Sequence, residues 1–313
     1  MLSRRHLRIK VLHALYEYFQ NPGADMARGT KKLREKIDSI YDLYLYELKA
    51  LHDIFRIAEQ DIDRRKNKRL PSKEDLNPNL RFVENPFLKW LEEDETFRKQ
   101  VEQNHISWSD DREILRRIYK EFVQSEEYQQ YMNAAESTLE DDKRIVKQLY
   151  GIYIVHDEAM QQFYEERNLH WADDLDAAQM MVAKTIKKFK DPEEEVNRLP
   201  RLIKDQDDVE FAMTLFTKSI VNSNDYQQMI LEKATNWEVD RIAMIDIILM
   251  KQALAEMTSF KEIPVKVSLN EYIELSKEYS TPKSSNFING ILDKIKADLQ
   301  NSGEIRKIGR GLL

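Results

Sequence analysis

Between Ile37 and Ile62 the apolar residues fall at Ile37, Tyr41, Tyr44, Leu48, Leu51, Phe55, Ala58 and Ile62, with gaps that alternate four and three. That spacing returns to one face of an α-helix and matches no strand, whose faces alternate every second residue. It predicts one amphipathic helix more than 25 residues long. A chain of 313 residues with only 7 Gly and 8 Pro has few turns to give. A β-sandwich or a doubly wound α/β sheet needs many more, whereas long helices need few. With 42% apolar residues to fill a core, the expected fold is all-α.

The composition also closes off whole classes of chemistry. There is no cysteine, so disulfides, zinc ribbons, iron–sulfur clusters and thiol nucleophiles are excluded together. The opening MLSRRHLRIKVLHALY lacks the continuous apolar stretch of a signal peptide. The most apolar run, Ile242 to Met250, is nine residues long and carries Asp246, against the roughly 20 needed to span a membrane. A soluble, cytoplasmic protein with no membrane partner is expected. Net charge is −7, from 49 basic and 56 acidic residues, which disfavours indiscriminate coating of nucleic acid. The basic residues are nevertheless clustered, at Arg4, Arg5, Arg8 and Lys10, at Arg64 to Arg69 (RRKNKR), and at Arg306, Lys307 and Arg310.

The breaks between helices are legible. The basic run at Arg64 complements the carbonyl end of the long helix, and Leu70 to Pro86, with three prolines, reads as a loop. Asp191 to Pro200 is a second break and the expected subdomain boundary. A shift of 66 residues aligns Trp171 with Trp237 and Asp174 with Asp240, and a third Trp-x-x-Asp stands at Trp108 and Asp111. The repeated feature is a Trp at a helix start and an Asp in the first turn. Asn236 is the expected N-cap of a helix buried on most sides. Ser268 to Glu271 has the form of a capping box opening the next helix, and Thr281-Pro282 that of a third start. Gly290 inside that last helix costs about 1 kcal/mol relative to Ala, so a close neighbour is expected there.

No catalytic constellation is present. There is no glycine-rich phosphate loop, no HExxH and no GxSxG, and the single Glu-x-x-His, Glu102 and His105, lacks the second pair that a di-iron bundle requires. No catalytic residue, metal or cofactor is predicted. The N-terminus differs from the rest. Arg4, Arg5 and Arg8 share about one turn of a helix whose remainder, Ile9, Leu12, Leu15, Tyr16 and Phe19, is an apolar stripe. Cations at a helix N-terminus oppose its dipole, which points to an anionic partner: three guanidinium groups suit phosphates and bases of single-stranded RNA, and the competing readings from charge alone are a partner's acidic surface or no ligand.

Two blocks carry a family resemblance. Arg4-Arg5-His6-Leu7-Arg8 through Ala14-Leu15-Tyr16 is similar to an RRxARxxAxQxLY opening, departing at Leu7, Val11 and His13. Trp237 to Arg241, Ile263 to Val267, Leu269-Asn270-Glu271 and the octet Phe287 to Lys294 (FINGILDK) form the second block. In order and spacing they resemble the transcription antitermination protein NusB family. The resemblance covers residues 1–20 and 205–299. It implies an all-α, two-subdomain helical bundle, here with extra helices inserted in the N-terminal half. The expected organisation is an expanded N-terminal subdomain over 1–204 (with 21–204 the expansion), a NusB-like C-terminal subdomain over 205–299 and a basic tail over 300–313. The resemblance further implies a non-enzymatic antitermination factor of ribosomal RNA transcription. Its partners would be boxA-like single-stranded RNA, the ribosomal small-subunit protein NusE and the RNA polymerase antitermination complex. Arg4, Arg5, Arg8, Phe287 and Asn289 would contact RNA, and Tyr16 and Asp240 would face the protein partner; by periodicity alone Phe287 is equally a core residue with Ile288, Ile291, Leu292 and Ile295, Tyr16 a packing residue and Asp240 a first-turn carboxylate. Asn286 stands where the family often has a basic residue. Family-like helices also precede ribosomal RNA methyltransferase domains, and the short stretch after FINGILDK is not expected to hold one. The alternative reading is a helical protein–protein scaffold that keeps the fold without binding RNA.

Overall fold

A computed structural model describes residues 2–21, 23–191, 197–200, 206–234 and 242–312, and among them all regular structure is helical. The chain forms two compact units, residues 38–202 and residues 2–37 with 203–313. Helices α1 (Arg4–Gln20) and α2 (Met26–Lys66) come first. The periodic stripe thus lies within a helix of 41 residues, and its members from Ile37 to Ile62 are buried except the half-buried Tyr41. The unit boundary falls inside α2. The sequence reading groups residues 1–20 with 21–204, whereas in the structure α1 packs on helices from the C-terminal part of the chain.

Residues 38–202 continue α2 with α3 (Lys73–Leu76), α4 (Pro86–Glu93), α5 (Glu95–Gln103), α6 (Arg112–Phe122) and α7 (Glu126–Asn133), then α8 (Leu139–Gln148), α9 (Glu158–Arg167) and α10 (Leu175–Lys188). The expected loop from Leu70 to Pro86 therefore contains the single turn α3. A π-helical segment, Leu149–Ile154, extends α8. Two of the Trp-x-x-Asp motifs are used alike. Trp108 donates its indole N–H to the carbonyl of Tyr46 and Trp171 donates to that of Ser39, both at 3.1 Å. Asp111 and Asp174, three residues on in each case, stand at the N-caps of α6 and α10. The echo thus marks a recurrent way of pinning a helix start to α2. The third copy, Trp237 and Asp240, lies outside the described residues, as does Asn236, and the buried helix that Asn236 is expected to cap begins instead at Met244, with Ala243 at its N-cap.

Buried in this unit is an isolated carboxyl. Glu47 of α2 is 1% exposed and neither oxygen makes a well-formed hydrogen bond. The Tyr150 and Tyr164 hydroxyls, also buried, lie beside it. Burial pushes its pKa up to about 7, with Tyr150, Tyr164 and Gln179 offsetting part of the desolvation.

The other unit holds α1 and the start of α2 with α11 (Gln206–Val221), α12 (Ser223–Lys233), α13 (Met244–Ser259), α14 (Val265–Tyr279) and α15 (Ser284–Asn301). Helix α13 is its centre: Ile248 through Met257 are all buried, and α11, α12, α14, α15 and α1 pack around it. Such an all-round burial explains its lack of a polar face. Asp246 in its first turn is 5% exposed and accepts hydrogen bonds from Ser280 at 2.5 Å and Ser284 at 2.8 Å. That carboxylate holds the connection between α14 and α15.

Three local expectations are corrected here. Helix α14 begins at Val265, after Pro264, so Ser268 is an interior residue and caps nothing. Its hydroxyl is taken by a carboxylate of α13. Helix α15 begins at Ser284, and Thr281 precedes it, its hydroxyl 2.8 Å from that of Ser284. Gly290 has no close neighbour: a Cβ built there meets nothing within 4 Å.

Candidate functional site

Helix α1 opens with a cap that fixes its first turn. The Ser3 hydroxyl accepts the backbone N–H of His6 and the His6 ring reaches back to the Ser3 N–H, a reciprocal capping box with a histidine in the Glu position. The three arginines of that turn then part company. Arg8 points inward and its side chain is 4% exposed. Its Nε and one terminal nitrogen each donate to Glu256 of α13 at 2.7 Å, a bidentate pair. Glu256 is itself fully buried and also accepts from Ser268 at 2.7 Å and Tyr272 at 2.9 Å. Glu271 lies 3.5 Å from the remaining nitrogen of Arg8, and Gln252 donates to the Arg8 carbonyl at 2.9 Å. Burial disfavours the Arg8 cation, but the hydrogen bonds and charge of Glu256 more than compensate, so Arg8 stays ionised with its pKa raised. Tyr272 is held well above its ordinary pKa by burial and by the Glu256 charge.

Arg4 and Arg5 face solvent. Arg4 is 45% exposed, with Nε 3.8 Å from Asp208, and Arg5 is 38% exposed, donating to Glu278 at 3.1 Å. The Arg4 guanidinium lies 5.1 Å from the centre of the Phe211 ring, with Arg8 5.5 Å from it, so one phenyl ring spaces the buried cation from the exposed one. Arg4 and Arg5 are thus presented by a turn that Arg8 anchors. Arg8, grouped with the RNA contacts from sequence, has no face open to a ligand.

On α15, Phe287 is only 8% exposed and belongs to the buried row with Ile288, Ile291, Leu292 and Ile295. Asn289 is half-buried and lines a groove between α14 and α15, while Asn286 is exposed. Tyr16 is 41% exposed. Asp240 lies outside the described residues. Sequence reasoning did not single out Glu256, and no local signal marks it, because its partners come from α1 and α14. Among the described residues no group of three or more His, Asp or Glu could hold a metal ion, and no helix is long and apolar enough to cross a membrane.

Comparison with known proteins bears on the same helices. The NusB family model matches residues 174–297, which runs from the start of α10 to within α15. A transcription antitermination protein NusB from Salinibacter ruber is 41% identical over 125 residues, covering 39% of this chain and 78% of that protein. The chain belongs to the NusB family. Another relative, the transcription antitermination protein NusB of Chloroherpeton thalassium, is 44% identical over 104 residues, 33% of this chain and 49% of that protein. The NusB of Natranaerobius thermophilus is 33% identical over 93 residues, 30% of this chain and 67% of that protein. No solved structure matches the chain. The NusB match begins about thirty residues before the block recognised by eye from residue 205, so α10 is part of the family region.

Proposed function

We propose that this chain is a non-enzymatic transcription antitermination factor that binds boxA-like single-stranded RNA, acting with NusE in the RNA polymerase antitermination complex. The observation that carries the reading is the pair Arg4 and Arg5, held exposed on the first turn of α1 by the buried Arg8–Glu256 pair. Two cations at a helix N-terminus oppose the dipole. Their present partners are the half-buried Asp208, 3.8 Å away, and the exposed Glu278, and such surface ion pairs are each worth about 1 kcal/mol or less and can be exchanged for phosphates. Asn289 would supply a polar contact from α15, with Phe287 supporting it from the core. Exposed Tyr16, with Asp240, would face NusE. Membership of the NusB family, and the names its members carry, support the same reading.

The test is fluorescence anisotropy of a boxA-like single-stranded RNA, with and without purified NusE, at two salt concentrations. Sequence-selective binding that tightens with NusE is expected. Arg4→Ala with Arg5→Ala should weaken it and lower the salt slope by about 0.7 per lost phosphate contact. Absence of binding in both arms by folded protein would overturn the reading and leave the helical scaffold.

A further inference from the structure

The basic tail is docked. After α15 the chain turns back, and the Ile308 N–H donates to the carbonyl of Lys261 at 3.0 Å while Lys307 donates to that of Phe260 at 2.8 Å. At Gly311 a Cβ would stand 2.0 Å from the Lys261 carbonyl oxygen, so only glycine permits the approach. The tail thereby walls a groove of about 920 Å³ whose other sides are the first half of α14 and the second half of α15. Its lining carries Lys266, Lys296, Arg306 and Lys307 against one carboxylate, Asp293. Lys307 is committed to Phe260, and Lys296 shares Asp293 at 2.7 Å, while Lys266 and Arg306 are exposed. In a chain of net charge −7 this is a local cationic trough. The side-chain amides of Asn270 and Asn289 lie along it, and Leu269 and Ile273 give it an apolar floor.

One ridge of α14, bearing Glu274 and Glu278, runs from the trough to the arginine turn. Lys266, Asn270, Glu274 and Glu278 are spaced by four on α14 and so follow one winding ridge. Arg5 sits on Glu278 at the far end of that ridge. Twelve residues at 1.5 Å each put Lys266 about 18 Å from there, within reach of one extended strand. We propose that the trough is a second contact for single-stranded RNA. It would hold the strand beyond the Arg4–Arg5 turn and Asn289, with phosphates on Lys266 and Arg306 and bases against Asn270 and Ile273. A cationic groove that tracks the backbone and amides within reach of base edges are two of the elements by which single strands are held, and the Arg306 guanidinium offers a plane for stacking. The inference rests on the RNA-binding reading above and extends it to a tail and a lysine with no assigned role.

The experiment uses the full chain and three RNAs: a short boxA-like strand, and that strand lengthened by oligouridine at its 5′ or its 3′ end. Wild type should bind one lengthened RNA about tenfold tighter than the short one, with a salt slope steeper by about 0.7 per added phosphate contact. Lys266→Glu with Arg306→Glu should erase that gain and leave the short strand's affinity unchanged. The neutral pair Lys266→Gln with Arg306→Gln should lose part of it, and circular dichroism verifies that both variants are folded. Arg4→Ala with Arg5→Ala should weaken all three RNAs. No gain on lengthening, or a gain that survives the charge reversal, overturns the trough while leaving the arginine turn intact. Failure of wild type to bind any of the RNAs overturns both.

Discussion

Glu47 makes the stability of residues 38–202 depend on pH in a direction opposite to that of most carboxylates. Its folded pKa of about 7 lies above the ordinary value of 4.5 because the group is desolvated. The folded state therefore holds a proton that the unfolded state releases earlier. The associated stability is fully present below pH 4.5, declines as pH rises and is lost once pH passes 7. A displacement of about 2.5 units at 1.36 kcal/mol each gives about 3 kcal/mol. With a urea m-value of about 2 kcal/mol/M, the denaturation midpoint should fall by about 1.5 M between pH 4.5 and pH 8 from this group alone. Three of the four tryptophans, Trp90, Trp108 and Trp171, lie in this unit, so tryptophan fluorescence of a Trp237→Phe background reports its unfolding. Asp42, raised to about 6 by burial and by Asp38, adds a loss of the same sign at lower pH. Glu47→Gln keeps the shape and removes the proton, so its midpoint should be the higher at pH 8 and should flatten between pH 6 and 8. A Glu47→Gln profile parallel to wild type across that window would refute the reasoning.

Arg8→Ala leaves Glu256 buried without its cation and should destabilise the protein by about 3–5 kcal/mol in chemical denaturation, whereas Arg4→Ala should cost under about 1 kcal/mol. Gly290→Ala adds a methyl group into open space on a helix and should raise stability by about 0.5–1 kcal/mol in thermal or urea unfolding. His105 closes α5 in the left-handed conformation, φ 53°, with the Ile106 N–H on the Val101 carbonyl. Gly is the residue suited to that position, and His105→Gly should stabilise the protein by about 1 kcal/mol in the same assay.

The parts of the fold legible in the sequence are those fixed by contacts within one element. The four–three stripe announces α2 because a single helix face determines burial, and the Trp-x-x-Asp motifs mark the starts of α6 and α10 because the Asp stands at the N-cap, although each indole is held by a carbonyl of α2. What escaped was set by distant chain. Ser268 and Glu271 have the spacing of a capping box, yet Pro264 starts α14 earlier and their polar groups turn to Glu256 and Arg8. Arg8 looks like its neighbours Arg4 and Arg5 until a carboxylate 248 residues away removes it from solvent. Phe287 follows the apolar periodicity of α15, and periodicity, which reports burial, described it correctly. The family region over α10 escaped recognition because its helix carries no motif comparable to FINGILDK.

The separation of Arg8 from Glu256 has a consequence for synthesis on the ribosome. At about 5–20 residues per second, roughly 12–50 s pass between polymerisation of the guanidinium and that of the carboxylate that closes over it. Until residue 206 is made, Leu7, Val11, Leu12 and Leu15, fully buried in the finished protein, have none of α11, α13 or α14 to cover them. Residues 38–202 are all made before then. Helix α1 is thus among the last to reach its native surroundings, and nascent chains stalled before residue 206 should be the species that chaperones hold.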